Sequence, residues 1–184
     1  MRVFNLLIAG IGGQGVVTLT KILTDLAEAD GRKTLSSIFK GGAQRLGTVH
    51  SIIRFFEQTE DYSNFSLQIP KGKLDLLIGF EPWEAMRHSS LCSNKTSLVV
   101  NSRLVPMRTD SFRNFEEQDP CLLLMNLGSP LILRDFDSKR AMNFELGLAA
   151  IQAGYLPLDQ RRYESLCLKY SDSKKGSTHD SDPR

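Results

Sequence analysis

Gly10, Gly12 and Gly15 stand at the spacing G-x-G-x-x-G in the run Ile8-Ala9-Gly10-Ile11-Gly12-Gly13-Gln14-Gly15, with Gly13 as an extra glycine. Residues without Cβ let a chain turn tightly and set backbone N–H groups against an anionic or crowded partner. The chemistry of such a loop is to cradle phosphate or to receive a partner surface. The plainer alternative is a βα turn that needs glycine for packing alone. Gln14 adds a side-chain donor and acceptor. An ordinary NAD-binding loop is followed by an Asp or Glu at the end of the second strand, which holds the ribose hydroxyls. The stretch expected there, Leu35-Ser36-Ser37-Ile38-Phe39, has no acid. Ser36, Ser37 and Lys40 would suit a 2′-phosphate instead.

Other candidates follow the same logic of strand ends and loops. Gly41-Gly42-Ala43-Gln44-Arg45-Leu46-Gly47 is a second glycine-rich stretch, now with an amide and a cation. Gln44 and Arg45 suit an anion or carboxylate clamp, because arginine offers a fixed bidentate fork. The alternative for Arg45 is an ordinary surface cation. Glu81 and Asn101 each end an apolar run, and ligands of α/β folds gather at the carboxyl ends of strands. Glu81 could equally stabilise the start of a helix. Asn143 lies within a helical run, where it either faces the site or bonds a loop. His50 and His88 read as isolated structural histidines. No spacing suggests a Ser-His-Asp or Cys-His arrangement, so catalytic residues stay unknown.

These residues need elements to position them. Val3 to Ala9 reads as a central buried strand. Val16, Leu19, Leu23, Leu26 and Ala27 recur at helical spacing up to Asp30-Gly31, a glycine stop. Lys33 to Phe39 gives a second strand, expected to pair in parallel with the first through a right-handed crossover. Val49 to Phe56, Leu74 to Phe80 and Thr96 to Asn101 are further strands. Glu57 to Lys73 is a polar excursion. Pro82 opens a helix at Glu81 to Arg87. Cys121 to Met125 reads as an edge strand. Ser138 to Gly154 reads as a helix with Ala141, Phe144, Leu148 and Ile151 on its inner face, Ala149 and Ala150 beside it, and Asp137 or Ser138 as its cap. A short helix spans Asp159 to Lys169, with Tyr163, Leu166 and Cys167 inward. The expectation is a three-layer α/β/α, Rossmann-like domain with a mostly parallel, mixed sheet over 1–170. A polar tail without aliphatic residues, expected to be disordered, covers 171–184.

Composition narrows the classes. The chain has 184 residues, 41% hydrophobic and 24% charged, with a formal charge of +2. That balance selects neither nucleic acid nor a membrane surface. No apolar run reaches the roughly 18 residues that span a bilayer, and no signal-peptide pattern is read at the start. Cys92, Cys121 and Cys167 are scattered, with no C-x-x-C, so the usual zinc or iron–sulfur pattern is missing. Scattered thiols suit the reducing cytoplasm. No metal site is expected.

Taken in order, the motifs resemble the gamma-type subunits of the 2-oxoacid:ferredoxin oxidoreductases, in layout most like the indolepyruvate ferredoxin oxidoreductase beta subunits. The first block is Gly10 to Gly15. Gly41 to Gly47 with Val49 is similar to the family's G-x-A-Q-R-G-G-x-V. Gly79-Phe80-Glu81-Pro82 with Glu84-Ala85 matches G-x-E-x-x-E-A, Val100-Asn101 matches a strand-end asparagine, and Asn143 with Leu146-Gly147 matches N-x-x-x-L-G. The match covers about residues 3 to 168. Leu46 departs from it by replacing the first glycine of R-G-G. Phe39 and Lys40 stand where many relatives have Glu and His.

The resemblance implies a subunit of a complex that oxidatively decarboxylates a 2-oxoacid to an acyl-CoA and passes electrons to ferredoxin. It implies no cofactor in this chain. Thiamine diphosphate and iron–sulfur clusters would reside in a large partner subunit, with coenzyme A also bound in the complex. Gly10, Gly12, Gly13, Gln14, Gly15, Gly42, Gln44, Arg45, Gly47, Glu81, Asn101 and Asn143 would then face cofactor or partner. Two alternatives stay open: a self-contained NAD(P)-binding reductase, and a non-catalytic regulatory or assembly protein on the same fold. Homodimerisation of the isolated chain is also open.

Overall fold

Strand β1, Phe4–Ile11, is buried along seven of its eight residues, and this places it mid-sheet. The computed structural model describes residues 3–41, 47–57, 66–105, 118–127, 129–136 and 141–176, with side chains to Ser171. Around β1 lie β2 (Lys33–Lys40), β3 (Thr48–Phe56), β4 (Leu76–Gly79), β5 (Ser97–Asn101) and β6 (Leu131–Arg134), in the order β2-β3-β1-β4-β5-β6. β3 is antiparallel to both its neighbours, whereas β1, β4, β5 and β6 pair in parallel. The sheet is therefore mixed and mostly parallel, as expected.

One pairing differs from expectation. β2 runs in the same direction as β1, but β3 lies between them. β3 is buried on both faces and suits the inner slot. β2 carries Lys33, Ser36 and Lys40 in exposed positions and suits the edge.

Alternation along the strands divides the core in two. Leu6, Ile8, Ile53, Leu76, Ile78 and Val99 face helices α1 (Val16–Ala29), α4 (Met142–Gln152) and α5 (Gln160–Gly176). Leu7, Ala9, Ile52, Leu77, Leu98 and Val100 face the short helices α2 (Pro82–Met86) and α3 (Pro120–Met125), with Ile69 and Leu74 from the intervening chain. A Cβ on Gly79 would lie 2.8 Å from that of Ala85, so α2 sits directly on the sheet.

Three further differences have local causes. Cys121 to Met125 is helix α3 rather than an edge strand. Asp119 accepts a hydrogen bond from Cys121 N at 2.8 Å and Pro120 occupies the first turn, so start signals outweigh the apolar run. The edge strand is β6 instead. α4 is rotated in part relative to the expected face: Ile151, Ala149 and Ala150 are buried as expected, but so are Asn143, Leu146 and Gly147, while Phe144 and Leu148 are half-buried and Ala141 exposed. Gly147 sets that rotation, since a Cβ there would fall 2.1 Å from the Tyr163 hydroxyl, which donates to Phe144 O at 2.9 Å. Ala141 precedes α4 without a side-chain cap, and Asp137 and Ser138 lie outside the described residues. Finally, α5 continues to Gly176, beyond the boundary expected at 170.

Candidate functional site

The glycine turn is built by mutual exclusion of side chains. A Cβ on Gly10 would sit 2.8 Å from both Gln14 Oε1 and Phe80 Cβ. Gly13 and Gly15 have φ of +96° and +105°, a region that favours glycine. Gly13 is exposed with open space around it, whereas a Cβ on Gly15 would meet Asn143 Cβ at 3.0 Å. Gly15 caps α1, and its carbonyl accepts from Leu19 N at 2.9 Å. No side chain caps that helix start and no acid lies in its first turn.

Gln14 does something the sequence did not suggest. Its Oε1 accepts from Ile11 N at 2.7 Å while its N–H donates to Ile11 O at 3.1 Å. The side chain locks its own turn, so its acceptor is spent on structure. Gly12 N donates to Gly47 O at 2.9 Å, joining the first glycine loop to the end of the second. Gly42, Gln44 and Arg45 lie outside the described residues.

The ends of β4 and β5 complete the edge. Glu81 has no exposed surface, and its Oε2 accepts from Glu84 N at 2.9 Å as the cap of α2. Its Oε1 has no well-formed hydrogen bond among the described residues, although the Val105 and Trp83 amides lie close enough to the carboxylate to influence it. Burial raises the Glu81 carboxyl above the usual range, with the Glu84 charge adding to the effect and nearby amides opposing it. Glu84 is also raised by burial, against the pull of Arg87, whose Nε stands 3.1 Å from Glu84 Oε1. Asn101 is used at both ends. Its Nδ2 donates to Phe80 O at 3.3 Å and to Met142 Sδ at 3.1 Å, and its Oδ1 accepts from Phe136 N at 3.0 Å. Asn101 thus fastens the chain leaving β4, the chain leaving β6 and the start of α4.

These contacts make one connected set: Gly10 against Phe80, Phe80 to Asn101, Asn101 to Met142, and Asn143 against Gly15. Asn143 is buried in that set. A second cluster was missed. Phe39 and His50 stack at 4.8 Å with planes 14° apart, and His50 meets His88 at 4.8 Å. Burial, with the charges of His50 and Arg87, lowers His88 to about 4; burial also lowers His50. The register Phe39↔His50, which requires the strand order, brings the first two together, and His88 joins them from the chain after α2.

Among the described residues, no group of three or more His, Cys, Asp or Glu is placed to hold a metal ion. Cys92 lies in the loop between α2 and β5, Cys121 in α3 and Cys167 in α5. Burial pushes Cys92 and Cys167 up to about 11 and also raises Cys121. Iron–sulfur ligation needs thiolates gathered at one point, and these thiols do not fit a cluster. No helix among the described residues is long and apolar enough to cross a membrane.

Residues 5–166 match the family described as pyruvate ferredoxin/flavodoxin oxidoreductase, and the chain belongs to that family. It is 32% identical over 106 residues to indolepyruvate oxidoreductase subunit IorB of Thermococcus kodakarensis, covering 58% of this chain and 50% of that one. The chain thus spans about half the length of the curated relatives it matches. Two solved structures share the fold. Pyruvate oxidoreductase subunit PORC of Thermotoga maritima aligns with a TM-score of 0.62 at 15% identity, over 92% of this chain and 86% of that one. The gamma subunit of a keto/oxoacid ferredoxin oxidoreductase of Geobacter sulfurreducens aligns with 0.58 at 18% identity, over 90% and 85%.

Proposed function

As a reading of this family member, we propose that the chain is the subunit without clusters in a cytoplasmic 2-oxoacid ferredoxin oxidoreductase complex of the indolepyruvate type. The complex would decarboxylate a 2-oxoacid oxidatively, form the acyl-CoA and reduce ferredoxin. The family match over residues 5–166 carries the proposal. The name of the archaeal relative supports the indolepyruvate branch. The thiols do not fit a cluster, so the iron–sulfur centres are assigned to a larger partner chain, together with thiamine diphosphate. When bound there, thiamine diphosphate supplies the carbanion chemistry of decarboxylation and the clusters carry the electrons.

This chain's own residues then position and seal. The turn Gly10 to Gly15, with Gly47 tied to it, presents a low-profile surface at the carboxyl edge of the sheet. Gly42, Gln44 and Arg45 are proposed to face the partner near the coenzyme A or substrate entrance, with Arg45 as the anion clamp. Gln14, Asn101 and Asn143 hold the edge in shape, and Glu81 anchors α2. The sheet order argues against the dinucleotide-binding alternative. With β3 inserted, the end of β2 lies two strand spacings from β1, roughly 10 Å, too far for the usual ribose contact beside the first glycine loop.

The test is purification of tagged chain from its native cells, followed by assay of indolepyruvate-dependent dye reduction with coenzyme A. Co-purification of a large thiamine-diphosphate and iron–sulfur protein, with activity, is expected. Repeated recovery of the chain alone would remove the subunit reading. Equal turnover of complexes carrying Arg45→Ala and wild-type chain would favour a purely assembly role.

A further inference from the structure

We propose that the free edge of β2 is a self-pairing surface, which joins two copies of this chain into one continuous sheet about a twofold axis at Ser37. This inference is independent of the chemistry assigned to the complex. Among the described residues, β2 ends the strand order, with β3 as its single neighbour. In an antiparallel pair, residues alternate between bonding the partner strand and pointing away from it. Gly41 N donates to Thr48 O in continuation of the β2–β3 register, so residues 33, 35, 37 and 39 bond to β3. The same parity follows from the other side. Gly12 N to Gly47 O assigns Val49, Ser51, Ile53 and Phe55 to β1, and so leaves His50, Ile52, Arg54 and Phe56 for β2. The N–H and C=O groups of Thr34, Ser36, Ile38 and Lys40 therefore point outward.

Between its terminal lysines, this edge lacks the usual protections within the strand itself. Its register is unbroken by a bulge, it contains no proline, and its charges stand at its two ends, Lys33 and Lys40. The opposite edge, β6, is half as long, with four residues against eight. Ser36 and Phe39 are exposed, Phe39 at 40%.

The edge is also complementary to itself. With Ser37 facing Ser37 of the second copy, the outward groups of Ser36 and Ile38 bond across the axis. Leu35 then lies opposite the second copy's Phe39 on the same face as His50, so an exposed ring and a half-buried leucine cover each other. Lys33 faces Gly41 and Lys40 faces Thr34. Moving the axis to Ser36 would set Lys40 against Arg32 and Phe39 against Lys33, opposing like charges. Moving it to Ile38 would set Phe39 against Ser37 and Leu35 against Gly41, losing the apolar pair. A twofold contact of this kind uses one patch twice, as the Leu35–Phe39 exchange does.

The experiment uses the full chain at tens of micromolar. Sedimentation equilibrium should give a dimer. Ser36→Pro removes an outward N–H and fixes the local φ, changes that an edge strand tolerates, so it should halve the mass while the far-ultraviolet spectrum stays unchanged. Ser37→Cys should cross-link the two copies under mild oxidation, because facing non-hydrogen-bonded Cα atoms lie about 4.5 Å apart. Ser36→Cys, offset from its counterpart, should cross-link about tenfold less. A monomeric wild-type chain, a dimer that survives Ser36→Pro, or equal cross-linking by the two cysteines would overturn the proposal. So would a monomer that binds the large subunit through this strand and loses it with Ser36→Pro, since the edge would then belong to the other subunit.

Discussion

The ends of β4 and β5 and the β2–β3 ribbon both hold polar groups against the sheet, yet they use them in opposite ways. At the strand ends, Asn101 spends its amide on three connections, and Glu81 turns one oxygen to a helix start. Asn101 is inside and fully committed, whereas Glu81 is inside and committed through Oε2 alone. On the ribbon, the Phe39–His50–His88 stack reaches the surface, and the outer backbone edge of β2 has no strand beside it among the described residues. One region fixes the shape of the site; the other remains available to something else. A buried polar residue at a strand end is thus not by itself a ligand group. What distinguishes it is whether its bonds are already taken.

Breaking Asn101 should have the largest effect. Asn101→Ala strands the Phe136 N–H in the interior and should lower unfolding stability by about 2–4 kcal/mol in urea titration. If Asn101→Ala unfolds at the wild-type midpoint, the strand ends are not held in this way. Gly15→Ala comes next. It imposes a φ of +105° on alanine and presses its Cβ on Asn143, for a loss of about 1–3 kcal/mol, read by thermal unfolding.

The two regions should also answer acid with opposite signs. His88 titrates near 4 when folded, below the usual histidine value of about 6.5. The unfolded chain therefore binds its proton first, and stability falls as pH drops from about 6.5 towards 4. His88→Gln should flatten that limb of a pH–stability curve, by less than the two changes above. Glu81 is raised, so its ionised form is the disfavoured one inside. Its contribution improves as pH falls from above its raised folded value to the usual carboxylate range. Glu81→Gln should therefore cost little, within about 1 kcal/mol at pH 7, because Oε1 makes no well-formed hydrogen bond among the described residues and the amide keeps an oxygen for Glu84 N. A strong loss with this variant would mean that the carboxylate charge itself is needed, and the contrast with Asn101 would fail.

Much of the architecture was legible because burial writes apolar runs. Leu6 to Ala9, Leu76 to Gly79 and Leu98 to Val100 could be read directly as inner strands, and Gly31 marks the end of α1 with its φ of +79°. Strand order was harder to read, since the helix between β1 and β2 suggests a direct pair, and the cue against it, polar Lys33, Ser36 and Lys40 beside the more apolar β3, is weak. The rotation of α4 was hidden because it is set by the absence of a side chain at Gly147, while hydrophobic spacing favoured Phe144 and Leu148. Asp119-Pro120 was a readable helix start that the leucines after it obscured. Of the candidate site, residue types located the strand ends and glycine turns. They did not reveal that Gln14 closes its own loop, because that contact depends on the backbone the glycines permit.

The bond from Gly12 N to Gly47 O links positions far apart in the chain. Its consequence is observational. Exchange of that single amide proton for deuterium requires the two glycine loops to part, so its protection measures both at once. A labelled Gly12 is therefore a built-in gauge of the edge where the larger subunit is proposed to sit.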